Sequence, residues 1–169
     1  MDANLIYPNI VFVKILLLTI GNTDKQYMRE GIDDYVKRLS FYLPFEMKVI
    51  PDIKNRSSYS TELQKEKEGQ LILNQISSGD YLVLLDEHGN EYSSLEFSKW
   101  IEKKMIAGTR QLVFVIGGPY GFSNTVYQRS DIKISMSKMT FSHQMARMIF
   151  VEQIYRAMTI IKNEPYHHE

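Results

Sequence analysis

The sequence predicts an α/β protein built on a mainly parallel sheet, and three observations carry that prediction. Apolar, β-rich runs alternate with segments of helical periodicity along the chain, the order that builds parallel sheets covered by helices. The first run, Val11 to Ile20 (VFVKILLLTI), is almost continuously apolar, as a strand buried on both faces must be. The run Gln111 to Ile116 (QLVFVI) passes straight into Gly117-Gly118-Pro119-Tyr120-Gly121, and in open α/β sheets ligands lie outside the carboxyl ends of strands.

Each element has a local reason. After Gly21, Thr23 and Gln26 form a capping-box pattern ahead of Met28, Ile32, Tyr35, Val36 and Leu39, which recur at helical spacing. Phe45, Met47 and Val49 alternate with Glu46 and Lys48 before Pro51, predicting a second, less buried strand. Asp52 to Ser60 is polar and reads as a loop. Thr61 and Gln64 open a charged helix to about Ile76, closed by Ser77-Ser78-Gly79. Tyr81 to Leu85 is a third strand, and Asp86-Glu87-His88-Gly89-Asn90 has turn chemistry. Ser93 and Glu96 make the best capping box of the chain; the helix they start turns Phe97, Trp100, Ile101 and Met105 inward and stops at Gly108. Gln111 to Ile116 is the fourth strand. A short helix from Ser123, a fifth strand around Ile132 to Met136, a long helix from Ser142 to about Lys162 and an extended tail from Asn163 to Glu169 complete the chain.

Composition narrows the function. A chain of 169 residues, 44% hydrophobic and 24% charged, is one folded domain without a low-complexity or disordered character. Twenty Lys plus Arg balance twenty Asp plus Glu, which argues against a surface that coats nucleic acid or anionic membrane throughout. Six cations nevertheless gather after residue 128: Arg129, Lys133, Lys138, Arg147, Arg156 and Lys162. Cysteine is absent, which removes disulfides, thiolate metal sites and cysteine nucleophiles and fits a reducing, cytoplasmic setting. Asp2 and Pro8 are unlike a secretory signal, and the apolar stretch Ile10 to Ile20 contains Lys14 and is shorter than a bilayer span.

The candidate site residues fall into three groups. Gly117 to Gly121 has the right position for close ligand approach, but it matches neither the dinucleotide fingerprint nor the phosphate loop, and a plain tight turn explains it as well. Ile134 to Phe141 (ISMSKMTF) mixes hydroxyls with soft apolar side chains and suits a flat heteroaromatic ring; on residue types alone, a connection that fills a core gap is the stronger reading. His143 and Arg147 stand one helical turn apart. The adjacent His167-His168 pair and the lack of metal-ligand spacing predict no metal site. The last helix is apolar around more than half its circumference, which means burial on two sides, either as the central helix of a monomer or at a subunit interface.

Taken in order, several of these pieces carry a resemblance. Lys14 to Gly21 (KILLLTIG), Tyr35 to Leu39 (YVKRL), Pro44-Phe45-Glu46, Lys67-Glu68-Gly69, Leu85-Asp86 with Gly89, Phe114 to Gly118 (FVIGG), Ser135 to His143 (SMSKMTFSH), Glu152 to Arg156 (EQIYR) and Tyr166-His167 resemble the ribosomal RNA large subunit methyltransferase H family, pseudouridine N(3)-methyltransferases of the SPOUT superfamily. The resemblance runs from residue 14 to about 168, so residues 1–13 would be an N-terminal extension or strand lead-in and 14–169 a single SPOUT domain. It implies an α/β sheet with a C-terminal trefoil knot, an exception to the rule that chains do not thread their own loops. It also implies a homodimer. The implied cofactor is S-adenosylmethionine, held by Leu85, Gly117, Gly118, Gly121 and the stretch Met136, Ser137, Lys138, Met139, Thr140 and Phe141. The implied reaction methylates N(3) of a pseudouridine in large-subunit (23S) ribosomal RNA, on the assembled ribosome, in the cytoplasm, with His143, Arg147 and His167 at the reacting centre and Arg147, Tyr166 and His167 on the RNA. Ser142 stands where relatives often carry proline, and either residue starts a helix. Two other readings stand beside this one: a knotted methyltransferase acting on transfer RNA, and a non-catalytic ribosome-binding dimer.

Overall fold

Lys14–Ile20 (β1) buries alternate residues on opposite faces of the sheet: Ile15 and Leu17 face one core, Leu16, Leu18 and Ile20 the other. That two-sided burial is what the unbroken apolar run demands. The structure, a computed structural model, describes residues 13–168. Of the expected lead-in, only Val13 falls within that range; it is fully buried.

Five parallel strands follow the order β2-β1-β4-β3-β5, with β2 at Phe45–Ile50, β3 at Tyr81–Glu91, β4 at Gln111–Ile116 and β5 at Ile132–Ser135. The α/β class with a parallel sheet is therefore the observed one. Gln26–Leu39 (α1), Ser94–Ile106 (α3) and His143–Ile161 (α5) cover one face; Thr61–Leu73 (α2) and Asn124–Arg129 (α4) cover the other. β2 is the half-exposed edge strand, as its alternation required.

Several local expectations change. Thr23 does not cap α1: the N-cap is Lys25, without a side-chain cap, because the Thr23 hydroxyl is taken by Arg147 Nη1 at 2.9 Å. Gln144 Oε1 holds the lead-in to the helix instead, accepting from the Asp24 N–H at 2.9 Å and the Lys25 N–H at 3.2 Å. Ser60, not Thr61, caps α2, accepting from the Leu63 N–H, and the Gln64 amide turns instead to the Glu68 carboxylate at 2.8 Å. The capping boxes of Ser93 and the cap of Ser142 form as expected. β3 does not end at Leu85. Residues 86–89 bulge outward and the strand resumes, so that Leu85 and Asn90 both register with Ile134. Gly89 allows this: a Cβ there would stand 2.5 Å from the Ile134 nitrogen.

α5 is buried on two sides by its own chain, between α1 and α3 and against the sheet. Phe150 packs on Phe114 with ring centroids 4.8 Å apart, and Met148 fills the space over Gly31. The tail is not extended. Asn163 adopts a left-handed φ of 55° and the chain folds back, setting the Tyr166 hydroxyl 3.2 Å from that of Tyr35 and 3.0 Å from Glu152 Oε1. Among the described residues, no helix is long and apolar enough to cross a membrane.

Candidate active site

Leu85, the last residue of β3 that pairs with β4, lies in register with Ile116 at the carboxyl end of β4, so the bulge of β3 and the loop after β4 start from the same edge. Gly117 to Gly121 closes on itself through a hydrogen bond from the Gly121 N–H to the Gly118 carbonyl at 3.1 Å. Gly121 has a φ of 78° there, a conformation that side chains strain to adopt. β5 ends at Ser135 and releases Met136 to Phe141, which is ordered from within. Ser135 Oγ donates to the Ser137 carbonyl at 3.0 Å, and Ser137 Oγ accepts from the Met139 N–H at 2.9 Å. The N-terminus of α5 completes a cavity of about 440 Å³, the size of a cofactor pocket.

Leu85, Gly117, Gly118, Gly121, Met136, Ser137, Met139, Thr140 and Phe141 all line this cavity, and His143 stands at its rim. Three segments singled out separately in the sequence thus share one wall. Lys138 does not join them; it projects outward, 87% exposed, with its ammonium 3.7 Å from Glu91. The tightness of the glycine loop has a visible cause. A Cβ on Gly117 would meet the Phe122 ring at 3.0 Å, and one on Gly118 would run into the Glu68 carboxylate.

Arg147 is elsewhere. It is 2% exposed and donates from Nη2 to the Ile20 carbonyl at 2.6 Å and from Nη1 to Thr23. Burial lowers the guanidinium from its ordinary value, against the pull of Asp52 and Asp24. A group so committed fastens α5 to the β1–α1 connection. Its charge and the partial burial of His143 act together on that imidazole: burial first, then Arg147, hold it below the usual histidine range, and the Gly117 backbone partly opposes them.

Tyr166 and His167 lie at the other end of α5. His167 Nδ1 is 3.4 Å from Arg156 Nη1, and Arg156 also stacks on the Tyr166 ring at 4.8 Å and pairs with Glu152 at 2.5 Å. Arg156 is 13 residues beyond His143 on α5, about 20 Å along a helix axis. Within one chain the two groups do not meet.

Residue patterns missed part of the wall. Asp86, with a side chain only 6% exposed, accepts from the Tyr127 hydroxyl at 2.5 Å and from the His88 N–H at 2.8 Å. Burial raises the Tyr127 phenol to about 12, with the bond to Asp86 adding to it. Both residues sit in turn-like or short helical sequence, where nothing distinguishes them from solvent-facing groups. Glu68 was hidden differently: α2 buries Gln64, Glu68, Gly69 and Ile72, a mostly polar face that hydrophobic periodicity does not register. Only the Lys67-Glu68-Gly69 triplet pointed to it. Among the described residues, no group of three or more His, Cys, Asp or Glu side chains is arranged to hold a metal ion.

Comparison with known proteins gives a consistent result. The family model described as "Predicted SPOUT methyltransferase" matches residues 13–167. The chain is 62% identical over 157 residues to the ribosomal RNA large subunit methyltransferase H of Parabacteroides distasonis, covering 93% of this chain and 100% of that protein. It is 55% identical over the same length, with the same coverage, to the protein of that name from Flavobacterium johnsoniae. Among solved structures, the SpoU methyltransferase AviRb from Streptomyces viridochromogenes, in complex with AdoMet, is similar at a TM-score of 0.43 and 14% identity, covering 96% of this chain and 65% of that one.

Proposed function

The chain belongs to the SPOUT methyltransferase family, and from that premise we propose that it transfers a methyl group from S-adenosylmethionine to N(3) of a pseudouridine in large-subunit ribosomal RNA. The observation that carries this reading is the single cavity formed by the end of β3, the glycine loop after β4 and the stretch Met136 to Phe141, joined to relatives that bear the ribosomal RNA methyltransferase name over their full length.

The residues fit such a cofactor. Gly117 and Gly118 let the loop pack closely on Phe122 and Glu68, where a Cβ would intrude, and keep its backbone at the cavity wall, while Leu85, Met136, Met139 and Phe141 offer apolar surface to a purine ring. When bound, the cofactor supplies a methyl on an electrophilic sulfonium. The chain's own task is to align the attacking nitrogen and help the ring imide lose its proton. We assign that proton to His143, the cavity-rim imidazole that its surroundings favour in the neutral form. Arg147 is a positioning residue in this reading, holding the β1–α1 turn against α5.

The working unit is a homodimer. Tyr166 and His167 belong to the RNA-binding set, yet they stand about 20 Å from His143 in their own chain. A second copy brings its tail to this cavity, and half-buried Met145, Ile149 and Ile160 on α5 supply apolar surface for the contact. The five-stranded parallel order β2-β1-β4-β3-β5 with flanking helices is consistent with a C-terminal trefoil knot, which belongs to this reading. Enzyme and substrate meet in the cytoplasm. Zero net charge leaves phosphate neutralisation too weak to hold free RNA, so the assembled ribosome is the better substrate.

The test is methyl transfer from labelled S-adenosylmethionine to whole ribosomes, to isolated large-subunit RNA and to transfer RNA. Label should enter ribosomes that contain the pseudouridine far faster than either free RNA. Equal labelling of ribosomes lacking the modification refutes the pseudouridine specificity, labelling of transfer RNA alone supports the other substrate class, and binding to ribosomes without transfer supports a non-catalytic dimer.

A further inference from the structure

Resting on the reading of the cavity as an S-adenosylmethionine site, we infer that Asp86 makes the site selective for the cationic methyl donor over its neutral demethylated product, S-adenosylhomocysteine. The chemistry of the pair sets up the test. The donor carries a sulfonium and an ammonium against one carboxylate, a net charge of +1; loss of the methyl leaves a thioether and a net charge of zero, with nearly the same shape.

The cavity wall is built to sense that difference. Asp86 and Glu87 line it, and neither lysine nor arginine does. Asp86 is the buried one, its side chain 6% exposed. Burial pushes its carboxyl up, but hydrogen bonds from the Tyr127 hydroxyl and from His88 outweigh burial and hold it below the usual carboxylate range, so it carries a full negative charge at neutral pH. The exposed His88 ring stands beside it, Nδ1 at 3.3 Å from the carboxylate. Lys133 is the nearby permanent cation; it lies over the Tyr127 ring at 5.5 Å and outside the cavity lining. The Glu68 carboxylate lies directly behind Gly118, where a Cβ would strike it.

Lys133 also helps to hold the Asp86 carboxyl down, but it stands outside the cavity lining; a largely buried carboxylate with no permanent cation on its cavity side is costly, and a cationic ligand in the adjoining space offsets that cost. The attraction is screened less than at a free surface because the Asp86 side chain itself is only 6% exposed. Methyl transfer removes the charge that the wall recognises, so the product is loosened by the reaction that forms it. Tyr127 fixes the carboxylate in the wall.

Calorimetry on the full chain with S-adenosylmethionine, S-adenosylhomocysteine and 5′-methylthioadenosine, which is neutral and lacks the amino-acid part, tests this. The wild type should prefer S-adenosylmethionine to S-adenosylhomocysteine by at least about tenfold, about 1.4 kcal/mol. Asp86→Asn should bring that ratio within about threefold while methylthioadenosine binds as before, and Asp86→Glu should restore the ratio. A wild-type ratio below about threefold overturns the inference, as does an Asp86→Asn protein that loses all three ligands in equal proportion. Should Asp86→Asn unfold the chain, the wild-type ratio and its retention or collapse in Asp86→Glu still decide. A wild type that binds none of the three refutes the cofactor reading itself.

Discussion

The two ends of α5 carry the candidate site residues and are built on opposite plans. At the N-terminal end, His143 and Ala146 border an open cavity of about 440 Å³ walled by glycines and small hydroxyls. At the C-terminal end, Tyr35, Tyr42, Tyr155 and Tyr166 pack ring against ring around Glu152, Arg156 and Glu164. One end keeps space for a ligand; the other holds the tail in place. In the proposed dimer this contrast becomes a division of labour, with the tail of one copy serving the cavity of the other.

The strongest way to break that comparison is to separate the ends genetically. Gly117→Val, which forces side-chain bulk toward Phe122, should abolish cofactor binding and methyl transfer, and a Tyr166→Ala/His167→Ala protein should bind cofactor and fail on the ribosome. Mixed subunits should recover about a quarter of wild-type transfer, since half the dimers are hybrid and each has one intact site. No recovery after verified subunit exchange refutes the shared site.

Next in size is Arg147→Met, which strips the Ile20 carbonyl and Thr23 of their buried partner. A loss of about 2 kcal/mol is expected, seen as a melting temperature lower by about 4–8 °C. Unchanged melting with lost transfer restores Arg147 to the substrate. Tyr166→Phe removes one hydroxyl shared with Glu152 and Tyr35; it should cost about 1 kcal/mol and speed amide exchange in the tail without touching cofactor affinity.

The smallest effect separates the ends by pH. His143 is held below its ordinary value, so the unfolded chain binds its proton first, and stability present above the unfolded histidine pKa is lost as pH falls below it. Denaturation at pH 7.5 and 5.5 should show a loss in wild type that His143→Asn reduces, by less than about 0.5 kcal/mol because the rim is wet. At the C-terminal end, burial raises the Tyr42 and Tyr166 hydroxyls, so the same pH change should leave Tyr166→Phe no different from wild type.

How far the sequence reached depended on whether burial was written in apolar residues. β1, β4, α1 and α3 announce themselves because nearly all their buried positions, Thr19 and Ser98 apart, are apolar and recur with the period of the element. α2 conceals its inner face because Gln64 and Glu68 are buried there as a hydrogen-bonded pair. The Ser60 cap was missed by one residue, and the Thr23 cap was displaced by an arginine 124 residues away; local pattern contains no trace of such a competitor. Lys138 sits in the middle of the cavity stretch by sequence and outside it in space, because the Ser137 turn sends it toward Glu91.

The sequence by itself determined the strand and helix order, the parallel class and the three segments that carry the cavity, because periodicity, caps and glycine loops are local properties of the chain. Only the packed chain brings those segments together where β3 parts from β4, encloses the Asp86 side chain beside them, commits Arg147 to Ile20 and Thr23, and sets the tail at the far end of α5. Those are contacts between residues tens of positions apart, and their energies are settled by desolvation and partner geometry that no window of sequence contains.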